Sequence, residues 1–241
     1  MNKSTKSNKA SDSLNIILSS LNNLPFVIPF ESGSDKFYPF DFTESNTELS
    51  TDLISDTNRF SSYIEAKLRD SKCRYGLGGY NEDRILYARS THFDAEDEPR
   101  RLHLGVDIWG PAGTPVFAPI EGTVHSFQFN NHFGDYGATI ILKHEIQGIQ
   151  FHTLYGHLDL QSINNLKVGE QVLQGQQIAR FGIPAENGDW PPHLHFQIIN
   201  DIEGKKGDYP GVCRSSEKNY YLINCPDPEL ILRANPFILH S

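Results

Sequence analysis

The residues able to do chemistry lie in three short stretches. His103-Leu104-Gly105-Val106-Asp107 sets an imidazole and a carboxylate four positions apart, Tyr155-Gly156-His157-Leu158 carries a further imidazole, and His193-Leu194-His195 adds two more. Zinc accepts imidazole nitrogen and carboxylate oxygen, and three protein ligands leave a fourth position for water. Three ligands drawn from this set, with two imidazoles left for proton transfer, are the inventory of a metal-dependent hydrolase that cuts an amide bond. A structural zinc site would close its shell, usually with cysteines. The three cysteines here, Cys73, Cys213 and Cys225, have no C-x-x-C spacing and read as isolated or buried thiols rather than as ligands or a disulfide.

Each motif alone has a plainer reading. His103 and Asp107 could be a surface histidine beside a solvated carboxylate, and His157 a core histidine bonded to backbone. An H-x-H pair is commonly incidental. If His193–Ile199 is a strand, however, His193 and His195 share one face and Leu194 and Phe196 the other. Spacing does not decide which of the two touches the metal. No H-E-x-x-H sequence occurs, so the glutamate base of many zinc peptidases is missing and imidazole must do that work.

The elements that must position these residues change character along the chain. Residues 1–12 are Ser, Lys and Asn with little to bury and read as a disordered arm. Residues 13–83 read as a helical and irregular extension, with helical periodicity over 13–24 and again over 49–68, and an aromatic segment between that packs on the main domain. The texture of this extension also suggests a cover for the groove. From residue 84 to about 200 short β-rich runs follow one another: 84–88, 114–118, 122–129, 138–144, 151–158, 178–181 and 193–199, with 102–109 extended. The stretches 118–122 and 167–176 read as turns closing hairpins. Residues 201–241 form a C-terminal extension packed on the core. The fold class expected is α+β, mainly an antiparallel β-sandwich core with a helical N-terminal extension.

Composition bounds the partners. The 241 residues carry a formal charge of -9 and are 38% hydrophobic, ordinary for a globular chain. With a pI near 5.5 and no basic patch, nucleic acid is not an expected partner. No run approaches the roughly 18 apolar residues of a bilayer span, so no membrane partner is expected. Asn15, Ser19, Ser20, Asn22 and Asn23 interrupt the only apolar stretch near the N-terminus, and no secretory signal is recognisable. That points to the cytoplasm, with the cell envelope still open. Oligomeric state is not legible.

The order of motifs carries a family likeness. H-x-x-x-D, then G-T-P-V-x-A-x-x-x-G-x-V over 113–124, Y-G-H-L, V-x-x-G-x-x-I over 172–178 with a glycine at 182, and H-L-H-F together resemble the lysostaphin or LytM type of zinc metallopeptidase over about residues 101–200. The resemblance implies a duplicated-hybrid-motif sandwich, one zinc ion, and a peptide, muropeptide or peptidoglycan-derived substrate. It implies His103, Asp107 and His195 as zinc ligands, and His157 and His193 as the catalytic imidazoles.

The stretch before H-L-H departs from the family pattern. Glu186-Asn187-Gly188-Asp189-Trp190-Pro191-Pro192 makes a stiff, partly apolar wall beside the metal. This stretch and the tail are similar to a peptidase-like module in some fusions of a small-molecule kinase with a class III aminotransferase. Other readings are an amidase acting on a small metabolite and an inactive scaffold or activator of the same fold. The 167–176 turn is similar to lipoyl-type carrier hairpins, but no lysine sits at the tip to carry a group.

Overall fold

The computed structural model describes residues 3–90, 93 and 98–239, with side-chain surroundings from Ser11 onward. The N-terminal segment supplies helix α1 (Lys3–Ser20), strand β1 (Phe37–Phe40), helices α2 (Thr51–Ser55) and α3 (Thr57–Ser71), and strand β2 (Tyr75–Gly78). Strands β3 (Leu102–His103), β4 (Val106–Trp109), β5 (Pro115–Phe117), β6 (Gly122–Asn130), β7 (Gly137–Ile146) and β8 (Ile149–Leu158) follow, then helix α4 (Gln161–Asn164). The chain ends with β9 (Gln171–Val172), β10 (Gln177–Arg180), β11 (His193–Ile199), β12 (Val212–Cys213), α5 (Lys218–Asn224) and α6 (Glu229–Leu232).

An eight-stranded sheet runs in the order β1-β2-β4-β11-β8-β7-β6-β9, and its pairings are antiparallel except β1 with β2. The α+β class with a mainly antiparallel core is therefore what the chain adopts. Alternation splits β11 between two environments. Leu194, Phe196 and Ile198 enter the main core with Val106, Ile108 and Tyr155, whereas His193, His195 and Gln197 point to the opposite face. All seven β11 residues are buried, because the C-terminal segment covers that second face.

Several expectations are corrected. The stretch read as a disordered arm is helical from Lys3: α1 continues N-terminally from Leu14 and Leu18, which are buried in the main core, so propagation from an anchored turn overrides local composition. Residues 1–2 lie outside the described residues. The 49–68 periodicity is two helices, because the Asp56 side chain accepts from the Asn58 and Arg59 amides and starts α3 afresh. The extension, read as helical and irregular and packed on the main domain, also contributes strands, since β2 pairs with β4 and brings β1 into the same sheet. The strand expected at 84–88 is a 3-10 turn over Ile85–Arg89 that buries Leu86 and Tyr87. Nor do the stretches 118–122 and 167–176 close hairpins: β5 pairs with β10 and β6 with β9, so both stretches step between sheets. The three cysteines are buried and free.

Candidate metal centre

Three adjacent strands place the site. Across the sheet Asp107 on β4 lies opposite His195 on β11, which lies opposite Gly156 on β8. His103 comes from the end of β3, separated from the start of β4 by Leu104 and Gly105, and returns to the same point. Gly105 makes this approach possible, because a Cβ there would sit 2.6 Å from the His195 ring. His103 Nε2 lies 3.0 Å from His195 Nδ1, Asp107 Oδ1 lies 3.1 Å from His195 Nδ1, and His103 Nε2 lies 3.3 Å from Asp107 Oδ1. All three side chains are buried. Among the described residues this is the one group of histidine, cysteine or acidic side chains arranged to hold an ion.

The donor set fits zinc in chemistry as well as in spacing. His103 Nδ1 lies 2.8 Å from the Gly79 carbonyl and His195 Nε2 lies 2.9 Å from Gln197 Oε1, so each ring donates outward and turns its other nitrogen inward as a lone pair. Tyr136 Oη lies 3.4 Å from the same His195 Nε2. Burial, followed by the Arg84 charge, lowers the His103 pKa to about 4. Burial works to raise the Asp107 carboxyl, but His103 and Arg84 overcome it and hold the group well below the usual carboxylate range. Neutral imidazole and ionised carboxylate are the forms a divalent cation needs.

His157 and His193 stand beside this group, with ring centroids 4.0 Å apart. His157 occupies a bulge: Gly156 and His157 together oppose the single residue Thr139 on β7, and His157 takes a left-handed backbone with φ 62°. A non-glycine residue in that region is strained, and here the bulge turns the ring toward β11. Its Nδ1 donates to the Asn187 carbonyl at 2.7 Å, and His193 Nδ1 donates to the Pro191 carbonyl at 2.8 Å. Both Nε2 atoms are left as acceptors. Burial keeps both rings neutral, with His193 at about 4 and His157 well below its ordinary value. Trp109 stacks on His193 at 4.0 Å and 16°.

The structure thus gathers all five sequence-predicted residues at one place. His125, His132, His144 and His152 are not part of the group, and His92 and His240 lie outside the described residues. A cleft of about 130 Å³ opens over the site. Trp190 forms part of its wall, as the Trp-Pro-Pro sequence implies, and Arg84, Leu86 and Tyr87, which directly follow the 13–83 extension, form another part. Sequence reading missed Arg84, Tyr136, Gln197 and the Gly79, Asn187 and Pro191 carbonyls. Gln197 alone left a trace, since it continues the His193, His195 alternation.

Residues 101–208 match Peptidase family M23. The chain carries a domain of this peptidase family. The M23 segment contains all five site residues and excludes α1–α3, β1, β2 and the tail from Tyr209 onward, with β12, α5 and α6. Among relatives, DD-carboxypeptidase/endopeptidase Mpg of Neisseria meningitidis is 32% identical over 136 residues, which are 53% of this chain and 28% of that protein. Peptidoglycan DD-endopeptidase ShyC of Vibrio cholerae is 33% identical over 114 residues, 43% of this chain and 24% of that protein. The chain spans about a quarter of the length of these curated relatives. The catalytic domain of lysostaphin from Staphylococcus simulans aligns at 28% identity over 50% of this chain and 80% of that domain, with a TM-score of 0.35.

Proposed function

We propose that this M23 domain is a zinc-dependent endopeptidase that hydrolyses an amide bond in a short peptide or muropeptide derived from peptidoglycan. The observation that carries this reading is the convergence of His103, Asp107 and His195 within one coordination distance, with two neutral imidazoles beside them. His103 Nε2, Asp107 Oδ1 and His195 Nδ1 would hold the ion. Zinc supplies Lewis acidity, which polarises a carbonyl and makes water nucleophilic near neutral pH.

The chain's own groups do the rest. An imidazole with its Nδ1 tied to a carbonyl accepts a proton at Nε2, which suits His157 or His193 to deprotonate the attacking water. The protonated ring then hydrogen-bonds the oxygen of the tetrahedral centre or returns its proton to the departing amine. Trp109 and the Pro191 carbonyl hold His193 in the plane this requires. The buried surroundings exclude bulk water from both rings.

The cleft sets a size. Its 130 Å³ gives room for one side chain next to the scissile bond, and the rest of a peptide can run out through the open side. The presence of all five residues favours an enzyme over an inactive scaffold. The peptidoglycan-directed name of a relative favours the cell envelope over the cytoplasmic placement expected from the sequence. Among the described residues no helix is long and apolar enough to cross a membrane. Zinc-loaded protein incubated with muropeptides, glycine-rich peptides and γ-linked dipeptides, read by mass spectrometry, tests the proposal. Products heavier in sum by one water are expected from the muropeptides, and no hydrolysis of any peptide at full zinc occupancy overturns it.

A further inference from the structure

The loop from Gly79 to Arg84 precedes the M23 segment, yet it touches two of the three proposed ligands. Gly79 presents one carbonyl to both His103 Nδ1, at 2.8 Å, and Arg84 Nη2, at 3.1 Å. Arg84 Nη1 donates to Asp107 Oδ2, which leaves Oδ1 turned toward the histidines. The guanidinium is 1% exposed, and Glu82 Oε2 lies 2.6 Å from its Nε. Backbone bonds fix the loop against the same ligands: Asn81 N donates to the His103 carbonyl and His103 N to the Glu82 carbonyl. Gly78 pairs with Asp107 across the sheet, and a Cβ at Gly78 would lie 2.7 Å from Arg84 Nη2. The backbone there is shaped to admit the arginine.

We propose that this loop is a ligand-positioning device grafted onto the M23 site from outside it, with Arg84 as the positioning residue for Asp107 and the Gly79 carbonyl as that for His103. The inference rests on the metal-site reading above. A planar guanidinium on Oδ2 fixes the carboxylate as a one-oxygen ligand and prevents it from rotating to chelate through both. A bare cation so near a divalent ion would oppose binding. Glu82 removes that objection, because the Glu82–Arg84 pair orients Asp107 without adding net charge. The device also explains why an arginine is retained in full burial: its donors are spent on Glu82, Asp107 and Gly79.

The test is zinc affinity, measured by competition with a chromophoric chelator, and the ligand-field bands of the cobalt-loaded full chain. Arg84→Met is expected to weaken zinc about 10- to 100-fold, as loss of outer partners does. Arg84→Lys keeps the charge without the fork, so it should fold while still weakening zinc and shifting the cobalt bands. Arg89→Met serves as the matched control. Arg89 leaves the same turn, is buried, and bonds Thr57 Oγ1 and the Asp189 carbonyl away from the ligands. It should lower the melting temperature and leave zinc affinity within about twofold. Should Arg84→Met fail to fold, Arg84→Lys decides. Wild-type affinity and unshifted cobalt bands in Arg84→Lys overturn the proposal, as does an equal loss in Arg84→Met and Arg89→Met. A wild-type chain that binds no zinc would instead overturn the metal-site reading.

Discussion

Two histidine pairs in this fold have nearly the same geometry and opposite prospects. His103 and His195 have ring centroids 4.9 Å apart at 75°, and His125 and His152 have centroids 4.9 Å apart at 76°. The first pair shares a carboxylate within 3.3 Å of both inward nitrogens. The second pair faces Lys143, with Lys206 also acting on His125, against a weaker pull from Asp201 on His152. Outward anchoring differs too. His103 and His195 each donate one nitrogen to an oxygen, whereas His152 Nδ1 is buried with no hydrogen-bond partner. Neighbouring His144 spends both nitrogens, on the Glu121 carbonyl and the Thr153 hydroxyl. Histidine proximity does not make a metal centre. It takes an anion on the inner side and acceptors on the outer side to fix which nitrogen is free.

The comparison breaks most visibly at the ligands. His103→Ala or Asp107→Ala should reduce bound zinc to background and abolish hydrolysis, whereas alanine at both His125 and His152 should leave zinc content unchanged. Elemental analysis of the purified proteins checks both, and a ligand variant that keeps stoichiometric metal contradicts the assignment. Next in size is His157→Ala, which should keep its zinc and lose about 10² to 10⁴ in kcat/KM, as general acid-base groups do. Steady-state rates equal to wild type would remove His157 from proton transfer. Smaller again is Gln197→Ala, which takes away the acceptor that fixes the His195 tautomer. Zinc should bind about 10- to 100-fold more weakly, and a dissociation constant matching wild type would show that Tyr136 suffices to hold the ring.

Which parts of this were legible beforehand follows from how far each interaction reaches along the chain. The alternation of β11 marks His193–Ile199 directly, and β6 to β8 stand out because they are rich in β-branched and aromatic residues between turn signals. The family likeness supplies the choice between His193 and His195, which strand periodicity leaves open because both share a face. Arg84 is different. Its partner Asp107 lies 23 residues away, and a local pattern of apolar residues at 84–88 reads as strand until burial of Leu86 and Tyr87 curls it into a turn. The Asn187 and Pro191 carbonyls orient two imidazoles through backbone atoms, which every residue possesses and no residue type announces. Strand β1 is likewise set by its partner β2, since Phe37–Phe40 has no turn signal of its own to separate it from the aromatic segment around it.

The mildest difference between the two histidine regions should appear as a pH slope. Burial lowers His144 and His152 to about 4, chiefly by desolvation and, for His152, also by the neighbouring rings. An unfolded histidine titrates near 6.5, so between about 6.5 and 4 the unfolded chain binds protons that the native chain refuses. Stability contributed by these neutral rings is therefore full above about pH 6.5 and is lost as the pH falls toward 4. Neither ring belongs to the proposed metal group, so the slope should persist when zinc is saturating at the upper end of that window. Replacing His144 by Ala should also take one partner from the Thr153 hydroxyl, which keeps Tyr155 Oη, and one from the Glu121 carbonyl, at a cost of about 0.5–1.5 kcal/mol near neutral pH with zinc content intact. Melting temperature followed from pH 7 to pH 4.5 is the measurement. Wild type should fall through this range, and the His144→Ala, His152→Ala double variant, lower at the start, should fall less steeply. Parallel curves would mean that the two buried rings take up protons in the native state as readily as in the unfolded one.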